Sequence, residues 1–213
     1  DIGLKRLSKR VIVIIVSIFV LVGLSWLFVL LYLLVKFSSK GPAFFKQLRC
    51  LEDGKEFSMY KFRTMKNNAH ELREDLQDLN KNDNVIFKIE NDPRIISGTN
   101  FLRTFSLDEL PQFFNVLKGE MSVVGPRPEV AEYVALYSEN QRRVLDVKPG
   151  ITDEASITYF EENKLLSKST NPQKTYIEEI MPEKIRINLA YQERATVWTD
   201  LGVVWKTAAR MVK

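Results

Sequence analysis

From Val11 to Val35 the chain reads VIVIIVSIFVLVGLSWLFVLLYLLV, 25 consecutive residues without a charge. A hydrocarbon layer takes roughly 20 apolar helical residues to cross, and a helix that is apolar all round belongs in a large core or in lipid. A secretory signal is the first rival, since it too places bases before an apolar stretch. Signals use about 7 to 15 apolar residues and end at a small-x-small site; this run is longer and no such site follows it. Beyond Lys36 the chain is charged and polar in character. The division expected is therefore residues 1–40 as a membrane-inserted N-terminal helix and 41–213 as a separate compact domain. The chain begins at Asp1 and not at Met, which leaves residues upstream of it open.

Bases stand on both sides of the run: Lys5, Arg6, Lys9 and Arg10 before it, and Lys36, Lys40, Lys46 and Arg49 after it. The positive-inside rule then names no orientation for a single crossing. A re-entrant segment, entering and leaving on one face, uses cationic anchors at both ends. Gly23 and Ser25, near the middle, are where such a helix would break, and Ser25 is the expected break point. No proline forces the break, so a straight transmembrane helix stays as the alternative.

A single Cys50 excludes an intramolecular disulfide framework and fits a reducing, cytoplasmic setting. It also excludes a cysteine zinc site, and His70 is the only histidine. His70 lies in the charged, amphipathic stretch NNAHELREDLQDLN and reads as a solvated helix residue. A metal here must rely on oxygen ligands, which favours magnesium, with manganese as the alternative. The formal net charge of +4 points to an anionic partner. Nucleic acid is not favoured: zinc-finger spacing, RNP-like aromatics and a long Lys/Arg block are all missing. Anionic lipid and phosphorylated substrates remain.

Along the domain, EDGKEFSMYKFRTM reads as a short β-hairpin turning at Asp53-Gly54, with Phe57, Met59 and Phe62 as its apolar positions and Lys61 and Arg63 at the strand end. Residues 66–81, with Leu72, Leu76 and Leu79 at helical spacing, read as a surface helix. A helix is expected over about Pro182–Arg194. In the closing segment Trp198, Leu201, Val204, Trp205, Ala208 and Met211 share one helical face, which suits a core helix or one lying on a membrane surface; core packing is favoured because most such stripes are core. The fold class expected is α+β and helix-rich, with amphipathic surface helices.

Within SLDELPQFFNVLKGEMSVVGPRP, residues 106–128, two acids stand side by side, with Arg103 upstream and Arg127 downstream. A capping box with Ser106 as N-cap and Glu109 reaching back is the simplest account. Pro111 opposes it, because proline beyond the first turn lacks a needed donor and clashes with a carbonyl. The helix is then expected to start around Leu110 or Pro111, leaving Asp108 and Glu109 at or just before its N-terminus. There one acid can hold a metal or attack while the other handles a proton. Arg127, fixed between two prolines, offers a guanidinium fork for phosphate at reduced entropic cost, and Arg103 offers a second. A structural salt-bridge cluster is the alternative.

KFRTM, NDPRI, FLRTFSLDELPQFFNVLKGEMSVVGPRP and KPGIT, in this order behind a basic-flanked apolar N-terminus, closely resemble the bacterial sugar transferases called monotopic phosphoglycosyl transferases. The resemblance covers nearly the whole chain. It implies transfer of a sugar phosphate from a UDP-sugar to a polyprenol phosphate such as undecaprenyl phosphate, releasing UMP, with magnesium required and an aspartyl phosphosugar intermediate. On this chain it implies Asp108 as nucleophile and metal ligand, Glu109 as its partner, Arg103 and Arg127 as phosphate binders, and Lys61, Arg63 and Arg94 in the same class. It also implies a re-entrant helix, a catalytic domain on the cytoplasmic face of the bacterial inner membrane, and membrane lipid as a partner. The family breaks that helix at a Ser-Pro pair, where this chain has Ser25-Trp26, and carries an Asp where this chain has Lys9. A catalytically silent lipid-binding module and a hydrolase of nucleotide sugars are the competing functions. The sugar is not written in these residues, and a homodimer stays open.

Overall fold

A computed structural model of the chain describes residues 2–67, 69 and 93–211. The expected surface helix over 66–81, with His70, falls almost wholly outside the described residues, as does most of the turn before Arg94.

The apolar N-terminus folds as two helices, α1 (Ile2–Gly23) and α2 (Ser25–Ser38). Leu24 separates them with φ −101° and ψ 13°, and the segments Lys9–Gly23 and Ser25–Ser38 are bent by 63°. Among the described residues no single helix is long and apolar enough to cross a membrane, whereas this bent pair is so by length and composition. The break sits one residue before the expected position, so Ser25 opens α2 instead of interrupting a helix. A small residue on each side of Leu24 permits the bend without proline. The hydrogen bonds Leu24 N to Val20 O and Phe28 N to Leu24 O, both 2.9 Å, hold the ladder closed on either side.

Among the residues whose burial is described, each helix turns a narrow line toward the rest of the molecule. Val13 and Ser17 of α1, and Leu31 and Val35 of α2, are buried at i, i+4 spacing. Most of the remaining apolar surface is open, Phe19 being 78% and Phe37 83% exposed.

Strands β1 (Phe44–Cys50) and β2 (Glu56–Phe62) form an antiparallel hairpin that pairs Phe44 with Phe62 and Cys50 with Glu56. Asp53 and Gly54 both adopt left-handed backbone in the turn, as Asp-Gly turns do. The turn is where the sequence places it, but the partner strand is the upstream FFKQLRC. Alternation along β2 splits its apolar residues between two faces. Phe57 and Met59 pack with Val13, Val116 and Met121, while Phe62 packs with Leu31, Val35, Ala43 and Leu102. Both faces of the hairpin are therefore covered, one by α1 and the other by α2.

Helix α3 (Asn100–Thr104), a 3-10 turn (Leu107–Glu109) and helix α4 (Gln112–Lys118) follow. The short strands β3 (Ser122–Val124) and β4 (Gly150–Thr152) pair in parallel. A π-helical turn over Tyr176–Ile180 leads into α5 (Met181–Arg194), and α6 (Val197–Met211) closes the described chain. A separate core gathers Val144, Leu166, Tyr176, Ile180, Met181 and Ile185.

The aromatic stripe of α6 is not in a core. Trp198 is 81% and Trp205 75% exposed, and Val203 is the buried residue of that helix. Val203 packs with Val124 and Tyr191, and one turn on, the Thr207 hydroxyl meets that of Thr152 at 2.7 Å. The attachment thus uses the opposite side of the helix.

Candidate active site

The acidic pair is carried on a turn that the core holds from both ends. Ser106 is left-handed, φ 51° and ψ 24°, and its side chain caps nothing, so the capping-box account does not apply. Its carbonyl accepts from Glu109 N at 3.1 Å and closes the 3-10 turn. Pro111 stands at the N-cap of α4, whose first residue is Gln112, close to the expected start. Leu107 and Leu110, on either side of the acids, pack into the cluster built from α2 and Phe62. Burial of two leucines, at about 1.5–3 kcal/mol each when complete, ties Asp108 and Glu109 directly to the second apolar helix.

Arg10 of α1 grips the far end of α4. Its Nη1 donates to Val116 O at 2.7 Å and its Nη2 to Leu117 O at 3.1 Å, satisfying carbonyls that a helix C-terminus leaves without partners. The two halves of the bent pair therefore hold the two ends of the segment that carries the acids.

Lys61 arrives from the end of β2, and Asn115 fixes where it stands. The Asn115 amide donates to Ser58 O at 2.8 Å and its oxygen accepts from Tyr60 N at 3.0 Å, clasping α4 to the strand one residue before Lys61. A further bond from the same amide to Glu120, 2.7 Å, holds it in place. The sequence offered no sign of Asn115 as a positioning residue, because a buried asparagine has no motif of its own.

Arg127 is delivered by the GPRP segment. At its root, Gly125 N donates to Thr152 O at 3.1 Å and Gly150 N to Pro126 O at 2.9 Å. A Cβ at Gly150 would lie 2.2 Å from Gly125 N, so this crossing requires glycine. Two residues beyond Arg127, the Glu129 carboxylate accepts from Arg49 Nη1 at 3.0 Å, from Val130 N at 3.0 Å and from the Tyr176 hydroxyl at 2.6 Å. Arg49, Glu129 and Tyr176 lock the loop from behind; sequence singled out neither Glu129 nor Tyr176, and read Arg49 as a base flanking the apolar run, whereas it pairs with Glu129.

These pieces converge on Glu109. Arg127 Nη2 donates to its Oε1 at 2.6 Å and Nη1 to its Oε2 at 3.3 Å, and Lys61 Nζ donates to Oε1 at 3.1 Å. Against the cost of burial, the two cations hold the Glu109 carboxyl well below the usual carboxylate range. Glu109 in turn holds the Arg127 guanidinium protonated more firmly than usual. Burial lowers the Lys61 ammonium, partly offset by Glu109.

Asp108 meets a different environment. Burial and the neighbouring Glu109 raise its carboxyl above the ordinary value, with Lys61 and Arg103 opposing. Arg103, half-buried, acts on Asp108 from a distance and forms no side-chain hydrogen bond or ion pair with another described residue. Four of the expected residues, Asp108, Glu109, Lys61 and Arg127, thus come together, with Arg103 at the edge. Arg63 goes elsewhere: its guanidinium donates to Lys40 O at 2.9 Å, Ser39 O at 3.1 Å and Asn67 Oδ1 at 2.8 Å, stapling the hairpin to the chain leaving α2. Arg94 is buried, and its carbonyl accepts from Lys66 N at 2.8 Å beside the Met65–Ile95 bridge.

No group of three or more His, Cys, Asp or Glu among the described residues could enclose a metal ion. Magnesium does not need one, since it keeps several waters and takes one or two carboxylates plus substrate phosphates. With Glu109 occupied by two cations, Asp108 is the carboxylate that fits such a role. Arranged this way, the site presents a carboxylate, Asp108, without a side-chain partner among the described residues and under the attraction of Lys61 and Arg103, a pattern suited to attack on a polyanionic phosphorus centre.

The chain matches known proteins over most of its length. The family model for bacterial sugar transferases matches residues 4–213. A UDP-glucose:undecaprenyl-phosphate glucose-1-phosphate transferase of Escherichia coli strain K12 is 36% identical over 96% of this chain and 40% of its own length. An undecaprenyl-phosphate galactose phosphotransferase of Salmonella typhimurium is 36% identical with the same two coverages. The exopolysaccharide production protein ExoY of Sinorhizobium fredii is 39% identical over 68% of this chain and 66% of its own length. The chain spans about 40% of the length of the first two relatives.

Proposed function

The chain belongs to the bacterial sugar transferase family, and from that premise we propose that it transfers a sugar 1-phosphate from a UDP-sugar to a polyprenol phosphate, undecaprenyl phosphate in particular, with release of UMP. The observation that carries this reading is the contrast between the two acids. Glu109 is spent on Lys61 and Arg127, while Asp108 forms no ion pair with a described residue and is attracted by Lys61 and Arg103.

In the first half-reaction an Asp108 carboxylate oxygen attacks the phosphorus bearing the sugar. The bond from that phosphorus to the bridging oxygen breaks, and UMP leaves with the electron pair. In the second, an oxygen of the polyprenol phosphate attacks the same phosphorus. The aspartyl phosphate bond breaks, Asp108 returns as carboxylate, and polyprenyl diphosphosugar is formed. Arg103 and Arg127 neutralise the phosphates, and Glu109 keeps Arg127 and Lys61 aimed at them. Bound magnesium, or manganese, held by Asp108 would supply further neutralisation of the diphosphate.

Residues 1–40 act as a re-entrant membrane segment and 41–213 as the catalytic domain on the cytoplasmic face of the bacterial inner membrane. Supporting this, Arg10 near the start of the bent pair and Leu31 and Val35 near its end all attach to the same domain, while the outer faces of both helices are apolar and open. The exposed tryptophans of α6 suit the membrane–water boundary. The test is incubation with magnesium, a polyprenol phosphate and a panel of UDP-sugars. Release of UMP from at least one sugar nucleotide, lost in Asp108→Asn, is expected; release no greater than that of the variant with every sugar would refute the reading.

A further inference from the structure

Gln112 opens α4, is 1% exposed, and its Nε2 is enclosed without a hydrogen-bond partner among the described residues. Buried donors are normally satisfied, and this one stands a single turn from the two acids. Resting on the transfer reading above, we propose that Gln112 is a positioning residue for Asp108. During transfer its amide donates to the Asp108 carboxylate oxygen that does not bond to phosphorus, and so holds the other oxygen in line for attack.

Helical spacing supplies the direction. The 3-10 turn Leu107–Glu109 runs into α4 without a break, since Leu110 (φ −51°, ψ −36°) and Pro111 (φ −60°, ψ −15°) both have helical backbone. Phe113 N donates to Leu110 O at 3.1 Å across the join. Residues three and four apart on a helix are neighbours, so Asp108, Gln112 and Asn115 lie along one side. That side faces β2, because the Asn115 amide is clasped to Ser58 O and Tyr60 N. A long side chain on a helix leans back over the preceding turn, here the turn that carries Asp108 and Glu109.

The two acids differ in their freedom to meet the amide. Glu109 is pinned by Arg127 and Lys61 and accepts nothing from Gln112. Asp108 has no side-chain partner among the described residues, so its carboxylate is the one that can turn toward Nε2. Asp108 is partly exposed and Gln112 is buried, which leaves the open side of the carboxylate to the substrate and the closed side to the amide.

A neutral donor suits this task. As the bond from Asp108 to phosphorus forms and the bond to UMP breaks, the second carboxylate oxygen becomes the carbonyl oxygen of an acyl phosphate, and no proton moves. An amide N–H serves that oxygen before and after the step without cancelling the charge of the nucleophile, as a lysine or arginine would. A donor that is unpaired in the resting protein and paired during reaction favours the reacting state over the resting one.

Gln112→Met keeps the length of the side chain and removes the donor. The experiment is single-turnover formation of the Asp108 adduct from UDP-sugar and magnesium, with steady-state kinetics and thermal melts of the full chain. Gln112→Met should slow adduct formation about tenfold or more, the effect of one hydrogen bond to a charged group, with both KM values within about twofold. Its melting temperature should stay level or rise, because an unsatisfied buried donor is lost; an amide that merely supports the fold would lower it. Gln112→Glu, of the same shape but bearing acceptors in place of the donor, should be at least as slow and serves where Gln112→Met fails to fold. Adduct formation within about twofold of wild type in either folded variant, or slowing in Gln112→Met accompanied by a lower melting temperature, overturns the proposal. Wild-type protein that forms no adduct with any UDP-sugar would sink the transfer reading itself, whereas an adduct formed at full rate in Gln112→Met would sink only the role of Gln112.

Discussion

The Arg127 guanidinium donates to both carboxylate oxygens of Glu109, at 2.6 and 3.3 Å, and so divides two adjacent acids into one that is held and one that is available. Lys61 completes the hold on Glu109. Asp108, one residue away, is left with a raised carboxyl and longer-range attraction from Lys61 and Arg103.

Removing the two charges should shift stability in opposite directions. Asp108 has a folded value raised above its unfolded one, so its favourable contribution exists only below about pH 4 and is lost as pH rises through the folded value. At neutral pH its ionised form costs stability, and Asp108→Asn should raise the melting temperature. Glu109 is depressed on folding, so its contribution is present above the unfolded value and lost on acidification. Glu109→Gln strands Lys61 and Arg127, a cost of about 2–3 kcal/mol after allowing for the half-exposed arginine. At ~2–4 °C per kcal/mol this is a drop of roughly 5–10 °C. Thermal melts at pH 7 check both; the same sign for the two variants would refute the division.

Asp108 must be ionised to attack, so kcat/KM should rise with pH on an acidic limb above the ordinary aspartate value. Arg103 lowers that limb. Arg103→Gln should therefore move it to higher pH, and Arg103→Lys should restore most of its position. A pH profile of initial UMP release is the measurement, and a limb that stays put in Arg103→Gln would remove Arg103 from Asp108's environment.

Asn115→Ala should act on the site through Lys61. It unclasps α4 from β2, leaving Ser58 O, Tyr60 N and Glu120 without their partner, at about 2–4 kcal/mol. Chemical denaturation should record the loss, together with a lower kcat at saturating donor. Full activity at reduced stability would mean that the clasp does not position Lys61.

Trp198→Ser combined with Trp205→Ser should leave the melting temperature within about 2 °C, because both rings are exposed and pack on nothing in the core. The same change should weaken association with anionic phospholipid vesicles about tenfold or more. Unchanged vesicle binding would show that α6 does not meet the membrane.

Much of this arrangement can be read from the residues, and the exceptions share a cause. Pro111 placed the helix start beyond the acids because its ring and missing N–H act locally. The Asp53-Gly54 turn was legible for the same reason. Contacts set by tertiary packing were not: FFKQLRC gives little alternating pattern, since β1 lies along exposed aromatics, and its role as a strand depends on β2. Arg63 looked like a phosphate ligand beside Lys61, since residues two apart in a strand share a face, but β2 ends at Phe62 and the Arg63 guanidinium serves the chain leaving α2 instead. The stripe of α6 matched a core helix by pattern, yet Val203 and Thr207 on the other side make the contacts. Asn115, Glu129, Arg49 and Tyr176 carry no motif, and their roles exist only once distant segments meet.

The central claim is that Asp108 carries the sugar phosphate. Mass spectrometry of peptides from protein incubated with magnesium and a UDP-sugar alone, quenched before any lipid acceptor is added, tests it most directly. A sugar-phosphate mass increase on the peptide containing Asp108, absent from Asp108→Asn and discharged by polyprenol phosphate, is the predicted result. An adduct on another residue, or transfer to lipid that proceeds undiminished in Asp108→Asn, would contradict it.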